Sequence, residues 1–119
     1  PILCGVIDGE DGLKRVNESW HKFVVKDLGC KCVEEEPWVT VAESCELVLA
    51  LNKISEKDKA EVIFKDVLNL ADPKSKLYWT GYVFADKKYW PIEKPSWTAA
   101  AVILAANSLY KFTKSSDFF

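Results

Sequence analysis

Aromatic side chains are concentrated in one stretch of this chain. Seven of the fifteen aromatic residues fall between positions 78 and 97, and a further tryptophan lies at position 38 beside a second apolar run. Aromatic faces attract cations by roughly 0.5–2 kcal/mol each, and they also stack on sugar rings or cover isoprenoid chains. We therefore predict that these rings lie near the mouth of a ligand-binding cavity, although some of them could simply pack the loop against a helix. The candidates are Trp38, Tyr78, Trp79, Tyr82, Trp90 and Trp97.

Two carboxylates, Glu43 and Glu93, lie close to these aromatics in the predicted arrangement of loops and helices. Glu43 lies about one turn inside a predicted helix that is otherwise mostly apolar. If its carboxyl group is buried there, burial would raise its pKa and allow it to act as an acid. The alternative is a structural role, in which it pairs with a lysine or caps backbone amides. Two carboxylates beside a cleft would also permit glycoside hydrolysis. We take Glu43 and Glu93 as the candidate catalytic residues, and the acidic run at 34–36 as a solvated surface.

The cysteines and the single histidine do not form a metal-binding pattern. Cys30 and Cys32 are separated by one residue, whereas zinc knuckles usually have two, and His21 is the only imidazole in the chain. Cys45 stands among apolar residues, as a small core residue would. We expect reduced thiols with structural roles, no stoichiometric metal and no cofactor.

Composition narrows the classes of partner. A chain of 119 residues with a net charge of −2 gives no reason to expect nucleic acid or an anionic membrane surface. There is no signal-peptide pattern and no run of about 20 apolar residues, so we expect a cytoplasmic protein without a membrane span. The chain contains no Met. We predict that residues 1–119 are a single segment, the C-terminal part of a larger domain, completed by the remainder of that protein or by self-association.

Hydrophobic periodicity predicts four helices, and they span about 11–26, 37–53, 56–70 and 95–112. The first and third have one apolar face, whereas the second and fourth are apolar on nearly all sides and should be surrounded by protein. Pro37 and Pro95 stand at the first helical position, where proline is favoured. A long aromatic-rich loop, at about 72–94, separates the third helix from the fourth.

A faint internal repeat relates the starts of the second and fourth helices. Pro37-Trp38-Val39-Thr40-Val41-Ala42 and Pro95-Ser96-Trp97-Thr98-Ala99-Ala100 share a proline, a tryptophan and Thr-x-Ala. Each copy would then be a hairpin with an amphipathic outer helix and an apolar inner helix. The pattern predicts an all-α fold, two α-hairpin repeats of an α/α toroid, with the second and fourth helices packed side by side.

Three parts of the aromatic region carry a resemblance to a known family. The strings Tyr78-Trp79-Thr80-Gly81-Tyr82-Val83-Phe84, Trp90-Pro91 and Trp97-Thr98-Ala99-Ala100-Ala101-Val102 resemble the C-terminal part of bacterial prenyltransferase and squalene-oxidase-repeat proteins. Residues 36–51 are similar to the same group. The resemblance implies the α/α toroid of terpenoid cyclases and protein prenyltransferases. The Asp-x-Asp-Asp motif of such cyclases is missing from this chain, as are a zinc ligand set and any glutamine.

Three functions stay open at this point. The first is a prenyltransferase-like or terpene cyclase-like segment that lines an apolar, aromatic-rich cavity for an isoprenoid or another apolar small molecule. The second is a non-catalytic helical binding module. The third is a carbohydrate-active enzyme on an α/α barrel, which an open polar groove would favour over a closed apolar cavity. Because no catalytic motif is present, enzymatic activity itself is left open.

Overall fold

The computed structural model describes residues 1–118, with side chains through Ser116, and combines helices with a β-sheet. The helices are α1 (Gly9–Phe23), α2 (Val41–Lys53), α3 (Lys57–Leu68) and α4 (Ser96–Tyr110), followed by a 3₁₀ helix, η1 (Lys114–Phe118). The strands are β1 (Val24–Val25), β2 (Gly29–Lys31), β3 (Trp38–Thr40), β4 (Gly81–Val83) and β5 (Lys88–Tyr89). They form one antiparallel sheet in the order β1-β2-β3-β4-β5.

The all-α prediction is therefore wrong, and so is the toroid of two hairpin repeats. β3 occupies the start of the helix predicted at 37–53, and β4 and β5 lie in the predicted loop at 72–94. Strands of two or three residues are too short to show an alternating pattern. Pro37 followed by apolar residues also has the signature of a helix start, although the chain here is extended.

The four predicted helices are present with altered bounds. α1 ends at Phe23 because the β-branched pair Val24-Val25 enters the sheet. α2 begins at Val41, four residues later than predicted, and α4 ends at Tyr110 rather than at 112. Periodicity thus located the helices correctly and misplaced the ends where a strand adjoins them.

Helix α2 is the centre of the core. It packs against α3 and α4, and Val48 and Leu51 on it are completely buried. The Asn52 amide of α2 donates to both the hydroxyl (2.7 Å) and the carbonyl (3.1 Å) of Ser108 on α4. Helices α2 and α4 therefore lie side by side, as their apolar character predicts.

A single serine joins the sheet to α2. The Ser44 hydroxyl donates to the Thr40 carbonyl (2.6 Å) and accepts from the Cys30 amide of β2 (2.7 Å). Gly29 precedes that amide with φ of +125°, and a Cβ there would lie 2.6 Å from the Ser44 hydroxyl. The contact therefore requires glycine at this position.

Helix α4 is not enclosed on all sides within the described residues. One side is buried through Val102 and Ala105, whereas Trp97 is 53%, Ile103 67% and Leu104 44% exposed. No charged residue occurs between Ser96 and Tyr110. Despite this apolar character, neither α4 nor any other helix in residues 1–118 has the length and hydropathy required to cross a bilayer.

We expect the 119-residue chain to self-associate when it is expressed by itself. Burying one large apolar side chain stabilises a complex by roughly 1.5–3 kcal/mol, and α4 offers three. Sedimentation velocity should show dimers or larger species, and the double change Ile103→Lys with Leu104→Lys should give monomers. The matched control is Val62→Lys, which alters a residue of α3 that is 56% exposed and should leave association unchanged. A monodisperse wild-type monomer would contradict the expectation.

Candidate functional site

The alternation of side chains along β3 separates a core face of the sheet from an outer face. Trp38 pairs with Val83 of β4, and Val39 pairs with Tyr82. Directly paired residues project from the same face, and successive residues project from opposite faces. Val39 is completely buried. Trp38 and Val83 therefore lie together on the outer face.

Trp38 and Trp90 line an open groove of about 460 Å³ on this outer face. Their ring centroids are 5.1 Å apart with an interplanar angle of 70°, and the Trp38 indole N–H donates to the Trp90 carbonyl at 2.9 Å. This hydrogen bond fixes the orientation of Trp38. Trp90 remains 52% exposed, so about half of its surface is open to a ligand.

The rest of the groove combines an apolar wall with two carboxylates. It is lined further by Val33, Glu36, Pro37, Val83 and Asp86. Asp86 also pairs with Lys88 at 2.6 Å. Carboxylates only accept hydrogen bonds, so a ligand has to supply donors along with an apolar surface for the indoles and valines. A sugar ring has hydroxyl donors and C–H faces, and the volume falls within the range of roughly 300–1,000 Å³ typical of small-molecule sites.

Gly81 allows the two tryptophans to meet. A Cβ at this position would collide with the indole nitrogen of Trp38 and would lie 2.6 Å from the Val39 carbonyl. The Gly81 carbonyl in turn accepts from the Trp90 amide at 3.0 Å. Glycine in a strand often marks such a close approach. Gly81 thus leaves room for the Trp38 ring, and its carbonyl holds the backbone of Trp90 in place.

The other predicted aromatic residues lie elsewhere. Trp79 stacks on Tyr89 with centroids 5.0 Å apart, and Tyr89 contacts Tyr82 at 5.3 Å, so these rings pack the β4–β5 hairpin. Tyr78 is partly buried, and its pKa is raised by burial and by the nearby Cys45. Trp97 lies on α4 outside the groove. Of the six predicted binding residues, the structure brings Trp38 and Trp90 together at the groove.

Glu43 and Glu93 do not line the groove. The Glu93 carboxylate accepts from the Thr80 hydroxyl at 3.1 Å. Glu43 accepts from the Cys32 thiol at 3.5 Å and borders a separate cavity of about 350 Å³ with Arg15. The carboxylates that do line the groove, Glu36 and Asp86, were missed by the sequence reasoning. The only signal for Glu36 was its position just ahead of Pro37-Trp38, which is easily read as a solvated acidic run.

Burial disfavours the thiolate form of Cys30 and Cys45. Burial raises the pKa of Cys30 to about 11 and that of Cys45 to about 12, and the carboxylates of Glu43 and Glu46 add to both shifts. Within residues 1–118, no group of three or more His, Cys, Asp or Glu side chains is arranged to hold a metal ion.

A polar cluster around Asp72 joins the two ends of the 72–94 segment, which contains Trp90. Asp72 accepts from the Ser75 hydroxyl (2.6 Å) and the Lys74 amide (3.2 Å), and it forms an ion pair with Lys94. The Lys94 ammonium also lies 4.3 Å from the centroid of the Trp79 ring. These contacts tie the two ends of the 72–94 segment together across the aromatic cluster.

The chain has a curated relative that is named as a mannosidase. The chain is 45% identical, over all 119 of its residues, to a protein of Mycolicibacterium hassiacum named MMP endo-(1,4)-3-O-methyl-alpha-D-mannosidase. The chain spans 33% of the length of that relative. No protein-family model matches the chain.

The resemblance to prenyltransferase and squalene-oxidase-repeat proteins is therefore wrong. The similarity to the mannosidase runs through the same aromatic strings that suggested the other family. The sheet is also incompatible with an all-α toroid. The prediction of a closed cavity for an isoprenoid is wrong too, because the aromatic site is an open groove that includes carboxylates. Among the functions left open above, the carbohydrate-active enzyme is the better supported.

We expect the ion pair and hydrogen bonds of Asp72 to make the free energy of unfolding decrease at low pH. Hydrogen bonds from Lys94, Ser75 and Lys74 hold the pKa of Asp72 well below its usual range. A carboxyl group whose pKa is lower in the folded protein than in the unfolded chain stabilises the fold at pH values above its unfolded-state pKa of about 4. This stabilisation is lost as the pH falls towards the folded-state pKa. Urea unfolding between about pH 7 and pH 2.5 should therefore show a smaller loss of stability in Asp72→Asn than in wild type. The control Asp8→Asn, at an exposed helix N-cap without a side-chain capping bond, should keep the wild-type dependence. Identical profiles for Asp72→Asn and wild type would contradict this.

Proposed function

We propose that this chain takes part in the hydrolysis of α-(1,4)-linked 3-O-methyl-D-mannose oligosaccharides, and that the Trp38–Trp90 groove is a sugar-binding subsite. The observation that carries the proposal is the 45% identity with the mannosidase over the entire chain. The groove geometry supports it independently, because it offers two indoles and two hydrogen-bond acceptors on one open surface.

The physical basis of binding is the match between the groove and a pyranose ring. The exposed part of Trp90 can cover the C–H face of a sugar, which gives apolar contact without requiring a charged ligand. Glu36 and Asp86 can accept from sugar hydroxyls, and a hydrogen bond to a charged group contributes more than a neutral one, roughly 1.5–3 kcal/mol. The exposed Glu36 also makes an anionic sugar a poor ligand. A neutral oligosaccharide fits these features best.

The chain's place in a longer polypeptide is part of the proposal. The mannosidase is about three times as long as the region that the chain matches. The exposed, charge-free side of α4 offers a surface against which such additional protein could pack.

Hydrolysis requires a pair of carboxyl groups flanking the scissile bond. Glu36 and Asp86 are the carboxylates at the groove, whereas Glu43 and Glu93 remain the candidates predicted from the sequence.

A cytoplasmic location is also proposed. All four cysteines are free, although Cys30 and Cys32 are close in sequence. Free thiols are the usual state in a reducing compartment. This support is independent of the sugar groove.

We expect Trp90→Ala to weaken the binding of an α-(1,4)-linked tetrasaccharide of 3-O-methyl-D-mannose by about tenfold, which corresponds to about 1.4 kcal/mol. The reason is loss of the ring that covers the sugar. Isothermal titration calorimetry on the protein as its gene encodes it measures the dissociation constant, and release of reducing ends measures hydrolysis. Trp38→Phe, which keeps a ring but loses the hydrogen bond to Trp90, should show a smaller loss.

The matched control is Leu77→Ala, because Leu77 (48%) is nearly as exposed as Trp90 (52%) but lies outside both the groove and α4. Equal losses for Leu77→Ala and Trp90→Ala would show that the groove is not the subsite. Binding of the tetrasaccharide without any hydrolysis would favour the non-catalytic binding module over the enzyme. Absence of binding by the wild-type protein would reject the proposed function.

A further inference from the structure

We propose that Val33 and Val83 recognise the O-methyl group of the sugar and so distinguish methylated from unmethylated mannose. This inference rests on the function proposed above and adds the residues that set its specificity. It concerns a contact between apolar side chains and a methyl ether, and it does not depend on which carboxylates catalyse hydrolysis.

The positions of the two valines support this role. Val83 pairs with Trp38 across β3 and β4, so both side chains project from the outer face of the sheet. Val33 lies in the loop before β3, and its side chain is 42% exposed where it borders the groove. Pro37 contributes further apolar surface and has no backbone N–H to donate. An apolar wall therefore stands within the same groove as the carboxylates.

This division of the groove suits a partly methylated sugar. A free hydroxyl that meets a valine wall loses its hydrogen bonds with water and gains no partner, which disfavours the unmethylated sugar. A methoxy group has no donor to leave unpaired, and its methyl group gains apolar contact. The remaining hydroxyls can still donate to Glu36 and Asp86. Apolar pockets distinguish ligands that differ by one methylene by roughly 10–200-fold, so we expect a preference near the lower limit in this open groove.

The test compares two probes on the protein as its gene encodes it. They are the α-(1,4)-linked tetrasaccharide of 3-O-methyl-D-mannose and the same tetrasaccharide without methyl groups. Wild type should bind the methylated probe about tenfold more tightly. Val33→Thr and Val83→Thr each replace a methyl group by a hydroxyl at nearly constant shape, and threonine keeps the β-branching that suits β4. In the double variant, the ratio of the two dissociation constants should fall to about twofold or less, chiefly through weaker binding of the methylated probe.

Val62→Thr is the matched control, because Val62 is an exposed valine of α3 that does not border the groove. The ratio of the two dissociation constants should be the same in Val62→Thr as in wild type. Thermal unfolding of every variant checks that the fold is retained. If Trp90→Ala weakens binding but the double valine variant keeps the wild-type ratio, the inference is overturned while the proposed function stands. A wild-type protein that binds both probes equally also overturns it. If neither probe binds, the inference and the proposed function fall together.

Discussion

Strand β3 passes directly into helix α2, and the rest of the structure depends on this junction. The chain is extended through Thr40 and helical from Val41, without a connecting loop. The Val41 amide donates to the Thr80 carbonyl at 3.0 Å, which attaches the junction to the segment entering β4. Ser44 attaches it to β2 on the other side. Because β3 is the central strand and α2 the central helix, these few hydrogen bonds fix the sheet relative to the helices.

The groove follows from the same junction. With Val39 completely buried, the alternation along β3 leaves Trp38 on the outer face. The meander then brings neighbouring parts of the chain to that face, since antiparallel strands joined in sequence lie beside one another. The loop before β3 supplies Val33 and Glu36, the turn after β4 supplies Asp86, and Trp90 follows β5. Core packing and the geometry of the groove are therefore linked within one three-residue strand, and Gly81 provides the space that the Trp38 ring needs.

The sequence alone supported some of these features and concealed others. The helices were predictable because an apolar stripe recurs along each of α1 and α3, and because α2 and α4 are mostly apolar. The sheet was not, since two-residue and three-residue strands form through pairing with distant segments rather than through any local pattern. Trp38 and Trp90 lie at the groove, whereas Trp79 and Tyr82, which residue type predicted equally as binding residues, pack the hairpin. The register of β3 and β4 places Trp38 on the outer face of the sheet and Tyr82 on the core face, which residue type alone does not show. Glu36 and Asp86 belong to exposed charged stretches, and their role depends on which tryptophan lies beside them.

The most direct test of the groove is the response of the indole N–H resonances to ligand in a ¹⁵N-correlated NMR spectrum. The chain has five tryptophans and therefore five such signals, which single Trp→Phe variants can assign. If the groove binds this sugar, the tetrasaccharide of 3-O-methyl-D-mannose should shift the Trp38 and Trp90 signals in a saturable manner. The signals of Trp20, Trp79 and Trp97 should stay unchanged. Saturable shifts at Trp79 or Trp97 with none at Trp38 and Trp90 would contradict this.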